Sequence, residues 1–151
     1  MLPITDNANP RAGAVAAILI APDGRYLLQH RDDKPGVWDA GSWSLFGGSI
    51  DSGETPEQAL KRELAEELEL HLSAPLKYFT QIAWDYRPWN HGIKLRYVYE
   101  APMTAEELAN TVLHEGQDYR LFTSDEVLRE PLLASYDSHA LRMHIRLGLP
   151  R

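Results

Sequence analysis

The chain has no cysteine, which excludes disulfide cross-links, thiol nucleophiles and thiolate metal sites. Nowhere do about eighteen apolar residues follow one another, the length a membrane-spanning helix requires, so no membrane partner is expected. Residues 1–11 are polar, hold Pro3 and Pro10, and lack the apolar stretch of a secretory signal. They read as a flexible N-terminus on a cytoplasmic protein. Positive charge is also short: 15 Lys and Arg stand against 22 Asp and Glu, for a net charge of −7 and a pI near 5.3. A field of that sign repels nucleic acid polymers, while a small anionic ligand stays compatible wherever a cation screens it. The sequence contains no internal repeat and no low-complexity segment. With 151 residues, 44% of them hydrophobic and 25% charged, it is long enough to bury one core, and a single domain over residues 1–151 is expected. A homodimer is compatible with this composition.

What the chain does have is a glycine-rich turn leading into an acidic helix. Residues 48–54 read Gly48-Ser-Ile-Asp-Ser-Gly-Glu54, followed further on by Arg62-Glu63-Leu64-Ala65-Glu66-Glu67-Leu68-Glu69-Leu70. Between them, Thr55-Pro56-Glu57-Gln58 supplies an N-cap hydroxyl, a proline at the first helical position and a glutamine able to reach back, which is a capping box. A helix is therefore predicted to start at about Thr55. Ala59, Leu60, Leu64 and Leu68 recur near helical spacing, and Glu63, Glu66 and Glu67 share a face beside that leucine stripe, within an arc of roughly 100°. Like charges at i, i+4 weaken a helix by about 0.2–0.5 kcal/mol a pair, and partial burial adds a desolvation cost. From Glu54 to Leu70 only Lys61 and Arg62 oppose six glutamates, a local charge of −4. Oxygen-only carboxylate ligands suit a hard divalent cation, Mg²⁺ or Mn²⁺, better than zinc, and such an ion would balance the cluster. On charge alone, however, Glu66-Glu67-Leu68-Glu69 reads as a solvated helix face.

Spacing separates the two readings. Gly48, Glu54, Arg62, Glu63, Leu64, Glu66, Glu67 and Leu70 stand in the pattern Gly-x5-Glu-x7-Arg-Glu-Leu-x-Glu-Glu-x-x-Leu. This resembles the Nudix box, the signature of hydrolases that act on nucleoside diphosphates linked to another group. One position departs: where the family has glycine, this chain has Glu69. That glycine serves as a left-handed C-terminal cap, and a side chain held there costs roughly 1 kcal/mol, so the helix is predicted to run on to about Leu70.

The resemblance implies an α/β fold, the Nudix-type α/β/α sandwich with a mixed β-sheet. It also implies a catalytic set of Glu63, Glu66, Glu67, Glu115, Arg62 and Glu54. Within it Glu63, Glu66 and Glu67 ligate metal together with the Gly47 carbonyl, Arg62 orients those carboxylates, and Glu54 supports them from behind. Trp43-Ser-Leu-Phe-Gly47-Gly48 resembles the strand and double glycine before the family helix, with Phe46 where proline is more usual. His114-Glu115-Gly116-Gln117 resembles a distal loop of the mutator-type members that cleave nucleoside triphosphates, and it implies Glu115 as a further metal ligand or the general base. Arg31 aligns with an arginine that contacts phosphate in such members. The lack of cysteine argues against the isoprenoid diphosphate isomerases that share the fold.

Phosphoanhydride cleavage needs neutralised phosphate oxygens, an in-line water and a base for its proton, with positioning and electrostatics supplying most of the acceleration. The sequence is thus read as a Mg²⁺-dependent pyrophosphohydrolase of a nucleoside triphosphate or nucleoside diphosphate derivative. A nucleotide-sugar or dinucleoside polyphosphate substrate is the enzymatic alternative, and a non-catalytic nucleotide-sensing module is the alternative of another class. Candidate substrate contacts are Arg31, Phe46, Tyr86 and Tyr97. Trp84, Trp89 and Tyr99 are further aromatics able to stack on a base, although alternating aromatics in a hairpin also read as core.

Two strands joined by a turn are predicted from Gly13 to Gln29, a loop over 32–42, and a short strand from Trp43 to Phe46 that ends at the glycines. A long hairpin from Tyr78 to Tyr99 follows, turning through Pro88-Trp89-Asn90-His91-Gly92. Thr111 to Leu113 and Tyr119 to Phe122 add short strands. A helix opens at Ser124-Asp125-Glu126 and is stopped by Pro131, and a last one covers Ser138 to Leu147. His139 and His144 are read as part of its solvated surface.

Overall fold

The apolar run that opens at Gly13 forms the strand from which the site is built. The structure, a computed structural model, describes residues 13–89 and 92–148. The expectation for residues 1–11, the turn residues Asn90 and His91 and the side chain of Trp89 lie outside the described residues. In chain order the elements are β1 (Gly13–Ile20), β2 (Tyr26–His30), β3 (Trp43–Ser44), β4 (Phe46–Ser49), α1 (Pro56–Leu68), β5 (Lys77–Asp85) and a 3₁₀ turn (Arg87–Trp89). There follow β6 (Ile93–Pro102), α2 (Ala105–Ala109), β7 (Asp118–Phe122), α3 (Ser124–Arg129) and α4 (Ser135–Leu147).

Side-chain alternation along β1 divides two cores. Val15, Ala17 and Leu19 pack with Leu60, Leu64 and Leu68 of α1. Ala16, Ile18 and Ile20 pack with Phe122, Val127 and Leu141, from β7, α3 and α4. Helices therefore cover both faces of one sheet, the expected sandwich. The sheet is mixed. β1 runs parallel to β6, from Gly13 opposite Leu95 to Ile20 opposite Pro102, and antiparallel to β2 and β4. The hairpin partner β5 forms one edge, while β2 carries both β3 and β7. Among the described residues no helix is long and apolar enough to cross a membrane.

Helix α1 begins as predicted. The Thr55 side chain accepts from Gln58 N–H, and the Gln58 side chain accepts from Thr55 N–H in return. Its other end corrects the expectation of a run-on to Leu70. The helix stops at Leu68, and Glu69 itself takes the left-handed conformation, φ 52° and ψ 32°. The backbone explains why. Glu69 N–H donates to Ala65 O at 3.0 Å and Leu70 N–H to Leu64 O at 3.2 Å, while Glu67 O and Leu68 O accept from His114 and Val112 N–H. Leu70 is thereby turned into the core. Four backbone bonds and a buried leucine outweigh a strain of about 1 kcal/mol.

Other boundaries also move. The strand predicted over Trp43 to Phe46 breaks at Leu45 and resumes as β4, which runs through both glycines because Gly47 and Gly48 pair with Ala16 and Val15 of β1. Thr111 to Leu113 form no strand; the amide of Val112 caps α1 instead. The short helix α2 was not predicted, although Thr104 and Glu107 form a capping box of the same kind as Thr55 and Gln58. Helix α4 opens at Ser135 rather than Ser138.

The strain at Glu69 is testable. Glu69→Gly is expected to raise the unfolding free energy by about 0.5–1 kcal/mol, since glycine accepts positive φ without the Cβ clash, as read from chemical denaturation midpoints. A loss of stability would contradict the left-handed cap.

Candidate functional site

Glycines bring α1 and β4 close enough for carboxylates to lie against the strand. A Cβ on Gly47 would collide with the Val15 carbonyl, and one on Gly48 would come within 2.5 Å of Glu63 Oε1. In the space so left, Gly47 N–H donates to Glu67 Oε2 at 3.3 Å. Glu67 is 4% exposed, whereas the Glu66 side chain is 59% exposed. The three glutamates of one helix face thus meet three environments, with Glu63 between the extremes.

Arg62 holds the outer part of the cluster together. Its guanidinium donates to both oxygens of Glu54, at 2.8 and 2.9 Å, to Glu63 Oε1 at 2.9 Å and to Glu66 Oε2 at 3.3 Å. It also donates to Ser49 O at 3.0 Å, tying the helix to the end of β4. Glu54 faces this fork and accepts from Asp51 N–H at 2.9 Å. The Arg62 hydrogen bond, aided by that amide, holds the Glu54 carboxyl below the usual range. The Arg62 guanidinium is correspondingly pushed up by Glu54. Lys61, the other cation in this stretch, is exposed.

The inner carboxylate is treated differently. Among the described residues the ion pairs of Arg62 stop at Asp51, Glu54, Glu63 and Glu66. Burial, then a hydrogen bond with Glu115, then the charges of Glu115 and Glu63 push the Glu67 carboxyl up to about 9, against the opposing effect of the Gly47 amide. Burial also raises Glu63, with Arg62 opposing. Both shifts follow from desolvation and like charge.

Among the described residues no three His, Cys, Asp or Glu side chains converge closely enough to hold a metal ion as they stand. The donor set still fits a hard divalent cation. All donors are oxygens, and the innermost carboxylate lies beside two others with a proton in place of a counter-charge. Replacing that proton with a cation would let Glu67 ionise despite its burial and the charges of Glu115 and Glu63 beside it.

A cavity of about 440 Å³ opens from Gly47 and Gly48. Glu115 lies at the carboxylate end, and Arg31, Trp38, Trp84, Tyr86, Lys94, Arg96 and Tyr136 line the remainder. Trp38 and Tyr86 meet edge to face with centroids 5.6 Å apart, and Arg31 Nε donates to Trp38 O at 2.8 Å. The Arg96 and Arg31 guanidinium groups lie 5.0 and 5.7 Å from the Tyr136 ring centre. Burial pushes the Tyr136 phenol up to about 12, so it stays neutral. Asp137, fully buried, accepts from Leu45 N–H and Arg96 Nε, both at 2.9 Å. Burial raises its carboxyl, with Arg96 opposing.

The sequence-predicted residues divide accordingly. Glu63, Glu66, Glu67, Arg62 and Glu54 form one connected cluster, with Glu115 beside Glu67. Arg31, Trp84 and Tyr86 reach the cavity. One substrate contact is corrected: Phe46 is fully buried in the α1-side core. Tyr97 is half-buried and packs against that same core, while Lys94, Leu95 and Arg96 of β6 line the cavity. Tyr99 is likewise core. The histidine expectation is corrected at one position: His139 is exposed, but His144 is buried, its Nε2 against Glu100 and its Nδ1 2.9 Å from the Tyr26 hydroxyl. Trp38, Lys94, Arg96 and Tyr136 were missed. Two cations at alternate positions of a strand were a signal for Lys94 and Arg96. Tyr136 carried none, since the helix was predicted to begin after it.

Comparison with known proteins yields a consistent picture. The NUDIX domain pattern matches residues 10–143. A nucleoside triphosphatase NudI of Escherichia coli O139:H28 is 47% identical over 58 residues, which is 38% of this chain; the chain spans only 40% of that relative's length. A MutT NUDIX hydrolase from Burkholderia pseudomallei is 28% identical, with a TM-score of 0.70 over 87% of this chain and 95% of that one. A MutT protein from Methanosarcina mazei Go1 shares the fold at a TM-score of 0.76 and 19% identity, over 95% of this chain and 99% of the other.

The raised carboxyl of Glu67 has a signed consequence for the metal-free protein. Its pKa rises from 4.5 to about 9 on folding, so the stability it contributes is full below about 4.5 and is lost as pH climbs through about 9. In excess chelator the thermal midpoint is expected to fall across that window, and Glu67→Gln is expected to flatten this part of the profile. Equal slopes in both proteins would contradict the assignment.

Proposed function

The chain belongs to the Nudix family, and on that footing we propose that it is a divalent-metal-dependent pyrophosphohydrolase. A single domain of this chain cleaves a phosphoanhydride bond in a nucleoside triphosphate or related nucleoside diphosphate derivative. The observation that carries this reading is that Gly47 and Glu115, both hydrogen-bonded to Glu67, line a cavity whose other walls are aromatic and cationic. One end suits a cation and phosphates, the other a nucleoside. The NudI relative, a nucleoside triphosphatase by name, supports the triphosphate over the other phosphoanhydrides.

In this reading Glu63, Glu66, Glu67 and Glu115 would hold Mg²⁺ together with the Gly47 carbonyl. A bound cation supplies neutralisation of phosphate oxygens and acidification of water. The chain's own residues do the rest. Arg62, fixed by Glu54, keeps the Glu63 and Glu66 oxygens oriented. A carboxylate of the group takes the proton of the attacking water, Arg31 faces the phosphate chain, and Trp38, Trp84 and Tyr86 offer faces and edges to the base, each stacking contact worth about 1–3 kcal/mol.

Release of phosphate or pyrophosphate across a panel of nucleoside triphosphates, nucleotide sugars and dinucleoside polyphosphates is the test. Turnover is expected with Mg²⁺, greatest on triphosphates, and absent in chelator. Glu66→Gln and Glu67→Gln are each expected to lower kcat on the order of 100-fold or more with the circular dichroism unchanged. Full activity in both variants, or turnover indifferent to chelator, would overturn the proposal.

A further inference from the structure

Three consecutive residues at the start of α4 each hold a different wall of the cavity, and the metal chemistry uses none of them. Ser135 donates through N–H and Oγ to Asp39 Oδ2, both at 2.7 Å, anchoring the loop that carries Trp38. Tyr136 presents its ring to the guanidinium groups of Arg96 and Arg31. Asp137 is buried and accepts through both oxygens: Oδ1 from Arg96 Nε at 2.9 Å, and Oδ2 from Leu45 N–H at 2.9 Å and from Arg96 Nη2 at 3.5 Å. Leu45 sits at the break between β3 and β4, two residues before Gly47.

A carboxylate withdrawn from water is tolerated only where it is paired and hydrogen-bonded, and the choice of partners is informative. The Arg96 side chain is 13% exposed, and among the described residues its ion pair is with Asp137. Released from that contact, a guanidinium on a flexible stem would have little to keep it 5.0 Å from the centre of one phenol ring. We propose that Asp137 is a positioning residue for substrate: acting through Arg96, it fixes the Arg96–Tyr136–Arg31 stack as the rigid cationic wall that receives the nucleoside phosphate. The inference rests on reading the cavity as the substrate site. Asp137 itself touches no substrate, being sealed behind Arg96 and Leu45. Its effect falls on binding rather than on Glu63 and Glu66, which lie on α1 and are held by Arg62.

Steady-state kinetics on the triphosphate that wild type turns over best provide the test. Asp137→Asn keeps the volume and an acceptor for Leu45 N–H but removes the charge that holds Arg96. KM is expected to rise about tenfold or more, as for loss of a buried charge partner. The kcat should change by less than about threefold, and the Mg²⁺ concentration for half activity should not move. Arg96→Gln is expected to raise KM similarly, and the double variant should be no worse than the more severe single one, because both remove the same contact. A merely structural role would lower the active fraction and thermal midpoint and leave KM unchanged. Unchanged KM in folded Asp137→Asn, or additive KM effects in the double variant, would overturn the proposal. Should Asp137→Asn fail to fold, Arg96→Gln and Tyr136→Leu decide it, and unchanged KM in either overturns it. Wild type inactive on every nucleotide would instead sink the functional reading itself.

Discussion

A carboxylate buried beside two others cannot keep its charge without help, and the arrangement around Glu67 is organised by that constraint. The side chain is shut from water, lies beside Glu63 and Glu115, and among the described residues receives one amide donor, from Gly47. Each supporting feature serves to put it there. The capping box fixes where α1 starts and hence which residues face β4. Glycine at 47 and 48 removes the Cβ atoms that would hold helix and strand apart. The left-handed turn at Glu69 lets the last carbonyls of α1 bind the segment that leads to Glu115. A free-standing helix would gain nothing from this design; in the proposed function the design would give a cation a cluster of oxygens and a proton to displace.

Division of labour between Arg62 and the missing counter-charge follows from position. Arg62 neutralises the outer carboxylates, Glu54 most closely, and leaves the inner one alone. A guanidinium cannot be deprotonated and binds in a fixed fork, so it fixes the outer carboxylates without reaching the inner one. At the other end of the cavity Asp137, at the start of α4, and Arg96 form a buried pair behind the lining.

Much of this was legible in sequence, and the reasons differ by residue. Glu63, Glu66 and Glu67 were readable as one face because helical spacing converts sequence position directly into a shared side and a capping box sets the phase, whereas Glu54 and Arg62 were picked out by the resemblance to the Nudix box. The Glu69 turn was misread because the cost of a side chain at positive φ is local and visible, whereas the compensating bonds from Val112 and His114 come from far along the chain. Phe46 was misassigned for a related reason. It lies on a strand within a sheet covered by helices on both faces, so an aromatic residue there reads as core or as site until the register is known. Asp137 and Tyr136 were invisible, since a buried acid at a helix start resembles any favourable first-turn acid. Only the tertiary pairing with Arg96 and Leu45 distinguishes it.

The central claim is that Glu67 holds a proton which a divalent cation displaces. Calorimetric titration of Mn²⁺ into the metal-free protein at neutral pH, repeated in buffers of different ionisation enthalpy, measures that exchange directly. Binding should release on the order of one proton per site, and Glu67→Gln should bind more weakly and release none. Binding without proton release, or equal affinity in Glu67→Gln, would contradict the account.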